Sequence, residues 1–168
     1  MKSSKWLASL LLLCSISHNA YSDQKAKCHT FYAEAEINFL APIPGPDPMA
    51  FGNIEYTIGG EILTAQVSIF IVSPVIRESE NSVSVNINML HDFGDGNTLT
   101  WAANPIFTET KTPGIFSMEE VVSLIDATGR FENTMGIGDA TGTVSFDPSV
   151  PSTIAGVSTI CTLKKNFN

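Results

Sequence analysis

Apolar and polar residues alternate along most of this chain, with the period of two that places successive side chains on opposite faces of a β-strand. The clearest run is Ser82–Met89, which carries valine, isoleucine and methionine on one face and serine and asparagine on the other. Phe31–Phe39 alternates in the same way. Helical periodicity is scarce, so the pattern predicts an all-β protein.

The pattern divides into eight strands separated by turn residues. They are predicted at Phe31–Phe39, Asn53–Gly59, Glu61–Val72, Ser82–Met89, Thr98–Thr108, Phe116–Ile125, Gly138–Phe146 and Ser152–Leu163. Glu61–Val72 is more continuously apolar, which predicts that both of its faces are covered. The proline-rich segment Ala41–Pro48 lacks amide donors and is expected to form a rim loop. Eight such strands favour a barrel or a sandwich.

One segment, Thr112–Phe146, is the most informative of the chain. It predicts a strand, a glycine turn at Asp126-Ala127-Thr128-Gly129, the pair Arg130-Phe131, a second glycine turn at Gly136 and another strand. Glycine in such turns supplies the positive φ that other residues avoid. Arg130 is expected to brace the first turn.

This segment resembles the allene oxide cyclase-like barrel family, to which plant dirigent proteins are related. In that family a GTGRF-type turn joins two long barrel strands, and the matching residues here are Thr128, Gly129, Arg130, Phe131 and Gly136. The resemblance extends from Ser82 onward, over about two thirds of the chain that follows residue 22. The chain departs from the family pattern at Asp126-Ala127, where a glycine pair is usual, and at Thr134-Met135, where the second turn commonly reads Ala-Thr.

The resemblance implies a single closed antiparallel barrel, which leaves no sheet edge exposed. It also implies association, because family members are often dimers or trimers. The leading hypothesis for function is an exported, non-catalytic barrel that binds a small apolar or amphipathic molecule or acts as an envelope or surface interaction module. The alternative is a cyclase or isomerase that confines a lipid-like or phenolic substrate, since confinement needs few polar groups. Neither hypothesis requires a cofactor.

Residues 1–22 have the features of a secretory leader. Lys2 and Lys5 form a positive start, an apolar run follows, and Ala20-Tyr21-Ser22 is a small-x-small cleavage site. The barrel domain is therefore predicted at 23–168, in a secreted or periplasmic protein. Cys14 raises the alternative of a lipid-modified leader, although the leucine before it fits that signal poorly. No other apolar run approaches the ~20 residues that a membrane-spanning helix needs.

Two cysteines, Cys28 and Cys161, remain after the leader, one near each end. An oxidising compartment favours a disulfide between them, which would tie the first strand to the last. Two buried free thiols are the alternative. A zinc site is not expected, because only His29 and His91 are available to complete it and no CxxC spacing is present.

The charge of the chain is strongly acidic. Seventeen acidic residues stand against nine basic ones, and because Lys2 and Lys5 lie in the leader, the remaining chain carries a net charge of −10. Like charge repels nucleic acid and anionic membranes, so neither is expected as a partner.

The most polar segment is His91–Asn97. Asp92, Asp95 and Asn97 carry oxygens that suit calcium, but Asp-Gly and Gly-Asn pairs are also common hairpin chemistry. A plain turn is the favoured interpretation, and cation binding remains the alternative.

Glu34 and Glu36 are the weak catalytic candidates, because paired carboxylates in a dry barrel mouth can act as general acid and base. They share a strand face opposite the apolar one, which instead favours a position in solvent.

Aromatic residues are numerous enough to line a pocket or to fill a core. The predicted ligand-binding residues are Tyr56, Phe70, Trp101 and Phe107. An eight-stranded barrel is just wide enough to be filled or to hold one small ligand, and the sequence leaves that choice open.

Overall fold

The structure is a computed structural model that describes residues 26–40, 47–58 and 60–162. Its strands are Lys27–Phe39 (β1), Ala50–Ile58 (β2), Glu61–Ile71 (β3), Ile76–Arg77 (β4), Ser82–Ser84 (β5), Ile87–Asp92 (β6), Thr98–Ala103 (β7), Ile106–Glu109 (β8), Ile115–Ala127 (β9), Thr134–Ser145 (β10) and Ser152–Thr162 (β11). Within the described ranges the only helical segment is the 3₁₀ turn Gly129–Phe131. The prediction of an all-β protein is confirmed.

Eight of the strands close an antiparallel barrel in the order β1, β2, β3, β6, β7, β9, β10, β11 and back to β1. The three short strands β8, β5 and β4 extend the sheet from the first half of β9. This confirms the predicted barrel. The predicted leader lies outside the described residues, as does most of the predicted rim loop.

A disulfide joins Cys28 of β1 to Cys161 of β11. The two cysteines face each other directly across the strand pair that closes the barrel. The crosslink encloses a loop with a sequence separation of 133 residues. On the chain-entropy model, a loop of that length stabilises the fold by about 4–5 kcal/mol. The alternative of two free thiols is thereby excluded.

The structure corrects two of the predicted strands, Ser82–Met89 and Thr98–Thr108, because each is interrupted. The first divides into β5 and β6, and the second into β7 and β8. Together they form one long hairpin in which β6 pairs with β7 and β5 pairs with β8. The bend lies at Val85-Asn86 and Asn104-Pro105, where proline has no amide to donate to the ladder, and the Asn104 amide donates to Asn86 Oδ1 at 2.7 Å.

The prediction of two separate glycine turns in this segment is also corrected. Asp126 and Ala127 belong to β9, and Gly136 lies inside β10 rather than in a turn. One connection, 128–133, therefore reverses the chain. Gly129 has a φ of +61° there, as the turn prediction requires.

β3 differs from its predicted environment. Its first half is not covered on both faces, because Ile62 is 64% exposed. Burial alternates regularly from Ala65 to Ile71, as it does in a strand with one face toward the core.

Candidate functional site

A cavity lies inside the barrel and is lined by residues from all eight barrel strands. Its volume is about 60 Å³, counted as the space that the centre of a water-sized sphere can occupy. In that measure one water needs roughly 10–15 Å³, so the space holds several waters or a small organic molecule. Small residues of β1, β10 and β11 leave room for it: Ala33, Ala35, Ala140, Gly156 and Ser158.

Aromatic rings close the barrel on both sides of this cavity. At one end Phe146 packs against Phe39, Phe107 and Phe116, with ring centroids 5.2–5.5 Å apart. The opposite end holds a chain of rings that runs from Phe31 through Tyr56 and Phe93 to Phe131, with neighbouring centroids 4.8–5.5 Å apart. The two aromatic clusters therefore lie at opposite ends of the interior.

Tyr56 and His91 form a buried hydrogen-bonded pair on the cavity wall. The Tyr56 hydroxyl is bonded to His91 Nδ1, and both residues are at most 5% exposed. Burial lowers the pKa of His91 to about 3 and raises the pKa of the Tyr56 hydroxyl above its ordinary value, because desolvation disfavours the charged forms. Both groups are therefore neutral around pH 7.

Trp101 lies beside this pair and is 2% exposed. Its indole N–H is near enough to the Tyr56 hydroxyl to oppose the rise in that pKa. Nevertheless, Nε1 is buried without a hydrogen-bond acceptor at bonding geometry. A buried donor without a partner is uncommon in folded proteins.

Glu120 is a further polar residue of the cavity wall and is 7% exposed. It lies on β9 between two pairings of that strand. β9 pairs with β8 up to Glu119 and with β7 from Val122 onward. The interruption at Pro105 lies opposite this gap. Desolvation raises the pKa of the Glu120 carboxyl to about 7, and its Oε2 has no hydrogen-bond partner.

The predicted ligand-binding residues lie in three different places. Tyr56 and Trp101 line the cavity. Phe107 packs in the aromatic cluster at the end of the barrel. Phe70 lies on the opposite face of β3 from the cavity residues Val67 and Ile69.

The weak catalytic candidates Glu34 and Glu36 are exposed on the outer face of β1. The Tyr32 hydroxyl donates to Glu34 Oε1 at 2.9 Å. Both glutamates border a shallow outer groove together with Glu55. They therefore lie on the opposite side of the barrel wall from the cavity.

The Asp92–Asn97 segment is a tight turn that packs against the 128–133 connection. Asp92 Oδ1 accepts from Gly94 N at 2.8 Å, and Asn97 Oδ1 accepts from Arg130 N at 2.9 Å. Arg130 extends its guanidinium over the Phe131 ring, 4.8 Å from the centroid. Over the described parts of the chain, no three His, Cys, Asp or Glu side chains are arranged to hold a metal ion.

Sequence reasoning missed Glu120 and the partner of His91. In β9 the neighbours Glu119-Glu120 and Val121-Val122 place the same residue type in both phases of the alternation, so the pattern does not reveal which glutamate faces inward. His91 continues the inward phase of Ile87 and Met89, and that signal was available. Its bond to Tyr56, 35 residues away, depends on strand register.

Chemically, the cavity combines apolar walls with two unpaired polar atoms and a carboxyl that changes charge near pH 7. Such a site can hold a small molecule and exchange a proton with it. No protein-family model, curated protein or solved structure matches this chain. In the described ranges, no helix is both long and apolar enough to span a bilayer.

Proposed function

We propose that the barrel binds one small apolar or amphipathic molecule in its interior cavity. The observation that carries the proposal is the pair of unpaired buried polar atoms, Trp101 Nε1 and Glu120 Oε2, in a largely apolar space. A core selected for stability alone leaves few such groups, because each one costs roughly 1–3 kcal/mol. A bound molecule that hydrogen-bonds to them offsets this cost.

The small residues of the wall support the same proposal. Ala33 and Ala35 occupy inward positions of β1 and lie between the large inward residues Phe31 and Ile37. Larger side chains there would fill the interior, and filled cores are the more stable arrangement. The cavity volume suits a compact molecule or one end of a longer chain.

The disulfide supports a location of the protein in a compartment that is not reducing, because such crosslinks persist in exported proteins. With the predicted leader, this favours a secreted or periplasmic binding protein. The allene oxide cyclase-like assignment is part of this proposal and rests on the 128–131 turn motif.

Native mass spectrometry of the protein from its own exported fraction, followed by organic extraction, tests the proposal. We expect a co-purifying small molecule that is lost in the cavity-filling variant Ala35→Leu. The matched control is Ala155→Leu, which adds the same bulk on the outer face of β11 next to Glu34. A wild-type protein that is empty and also fails to take up small apolar probes would overturn the proposal.

A second candidate function is isomerisation of the bound molecule, which the position of Glu120 favours. A carboxyl with a pKa of about 7 is poised for general acid–base catalysis at neutral pH. The ionised form would remove a proton from one carbon of the ligand, and the resulting acid would return it to another, so that a double bond migrates without a change in composition. Incubation of the extracted molecule with the protein in D₂O should then incorporate deuterium, and Glu120→Gln should abolish the incorporation.

A further inference from the structure

One of the two unpaired polar atoms of the cavity wall can act only as a hydrogen-bond donor. An indole nitrogen can only donate a hydrogen bond, and that of Trp101 is buried without an acceptor. A molecule that satisfies this N–H must present an acceptor atom. Trp101 therefore specifies one feature of the ligand, independently of any titration.

Glu120 contributes a second donor in its neutral form. Burial without a hydrogen bond to Oε2 favours the protonated acid over the carboxylate, and a protonated acid offers one O–H. Trp101 pairs with Leu124 in the sheet, four residues beyond Glu120 along β9. The two donors thus lie at different levels of the same cavity.

The other groups around Glu120 do not supply a compensating charge. Among the residues that the structure describes, no lysine or arginine lines the cavity. His91 and Tyr56 are held neutral by burial, and Asp139, on the neighbouring strand β10, borders the cavity with an exposed carboxylate side chain. An anionic ligand would meet no cationic side chain among the described lining residues, and a buried ammonium would pay a desolvation penalty with few acceptors to offset it.

We infer that the ligand is a small neutral carbonyl compound, whose oxygen accepts a hydrogen bond from Trp101 or Glu120 while its hydrocarbon body contacts the alanine and phenylalanine wall. This inference rests on the proposed function and names the chemical class that the cavity selects. A compound with two separated oxygens can engage both donors. A hydrocarbon of the same shape would leave both donors unpaired.

The test compares cyclohexanone with methylenecyclohexane, which replaces the carbonyl oxygen by a CH₂ group of similar shape. Both are titrated into the full-length exported protein and followed by NMR. Trp101 is the only tryptophan outside the predicted leader, so its indole N–H signal reports directly on the donor. We expect cyclohexanone to move this signal downfield and methylenecyclohexane to leave its hydrogen bonding unchanged.

Two variants extend the comparison to affinity. Trp101→Phe keeps an aromatic ring but removes the N–H, and it should weaken cyclohexanone binding roughly threefold to tenfold while changing methylenecyclohexane binding less than twofold. Glu120→Gln retains a donor and should bind cyclohexanone with an affinity that no longer falls above pH 7. The matched control for the latter is Glu119→Gln, the exposed neighbour on the outer face of β9.

The outcomes separate this inference from the proposed function. If both molecules bind and neither the indole signal nor the variants distinguish them, the cavity binds ligands but does not select a carbonyl, and the inference is overturned. If neither molecule binds, the proposed function fails together with the inference. The wild-type indole signal decides the question even if Trp101→Phe does not fold.

Discussion

Gly136 and Trp101 approach each other closely inside the barrel: a Cβ atom placed on Gly136 would lie 2.9 Å from Trp101 Cη2. Gly136 therefore provides the space in which the indole lies. The glycine is required by close approach of a neighbouring side chain and not by a turn.

Substitution of Gly136 by alanine should displace Trp101. Because the added methyl overlaps the ring, we expect a loss of about 1–3 kcal/mol in the free energy of unfolding and a change in Trp101 fluorescence. Urea denaturation measures the first effect. Met135→Ala, at the adjacent position on the outer face, is the control and should change stability by less than about 0.5 kcal/mol. Equal effects of the two substitutions would contradict the contact.

Glu120 should make the protein less stable as the pH rises. Its pKa is raised from 4.5 to about 7 in the folded state, so between these values the folded protein binds more protons than the unfolded chain. The free energy of unfolding therefore decreases with rising pH across this window, by about 3 kcal/mol in total. The difference between wild type and Glu120→Gln, measured by denaturation at pH 4.5–8, isolates this effect from that of His91, which acts in the opposite direction as the pH falls below about 6.5. A pH-independent difference, or the same difference in Glu119→Gln, would exclude a raised pKa at Glu120.

Removal of the Tyr56 hydroxyl should be costly. In Tyr56→Phe the buried His91 Nδ1 loses its partner, and an unpaired buried polar atom costs roughly 1–3 kcal/mol. Tyr32→Phe is a close control, because the Tyr32 hydroxyl also forms a hydrogen bond with a side chain, Glu34, but in solvent. Thermal and urea unfolding of the two variants should differ clearly. If Tyr56→Phe is as stable as Tyr32→Phe, the buried bond does not contribute to stability.

Gly129 should tolerate alanine less well than other turn glycines. It combines a φ of +61° with a Cβ position only 2.5 Å from Asn97 Oδ1. Gly114 has a similar positive φ of +77° but open space around its Cβ position. Gly114→Ala thus reports backbone strain alone, typically about 1–2 kcal/mol, and Gly129→Ala should cost measurably more in the same unfolding assay. Equal losses in the free energy of unfolding would mean that Asn97 moves aside without any loss of stability.

Much of the fold could be predicted from the sequence because one face of each strand is buried. The period of two located eight strands, and the cysteine positions identified the pair that closes the barrel. The interruptions at Asn86 and Pro105 were missed, since alternation continues across them and only the partner strands reveal that pairing changes there. Gly136 was misassigned to a turn because glycine is used both for positive φ and for close packing.

The candidate site was predictable only in part. Tyr56 and Trp101 could be identified as aromatic residues on inward faces. Glu120 could not, because two adjacent glutamates leave the phase of β9 undetermined. The hydrogen bond between Tyr56 and His91 depends on the register of β2, β3 and β6, which local sequence does not encode.

The central claim is that the interior cavity accepts a small molecule. Its most direct test is a crystal structure of the protein soaked with bromobenzene, in which the anomalous signal of bromine marks the bound position. We predict a single interior peak between Phe31, Trp101 and Glu120. Bromine only on the outer surface, with the interior unoccupied at saturating concentration, would contradict the claim.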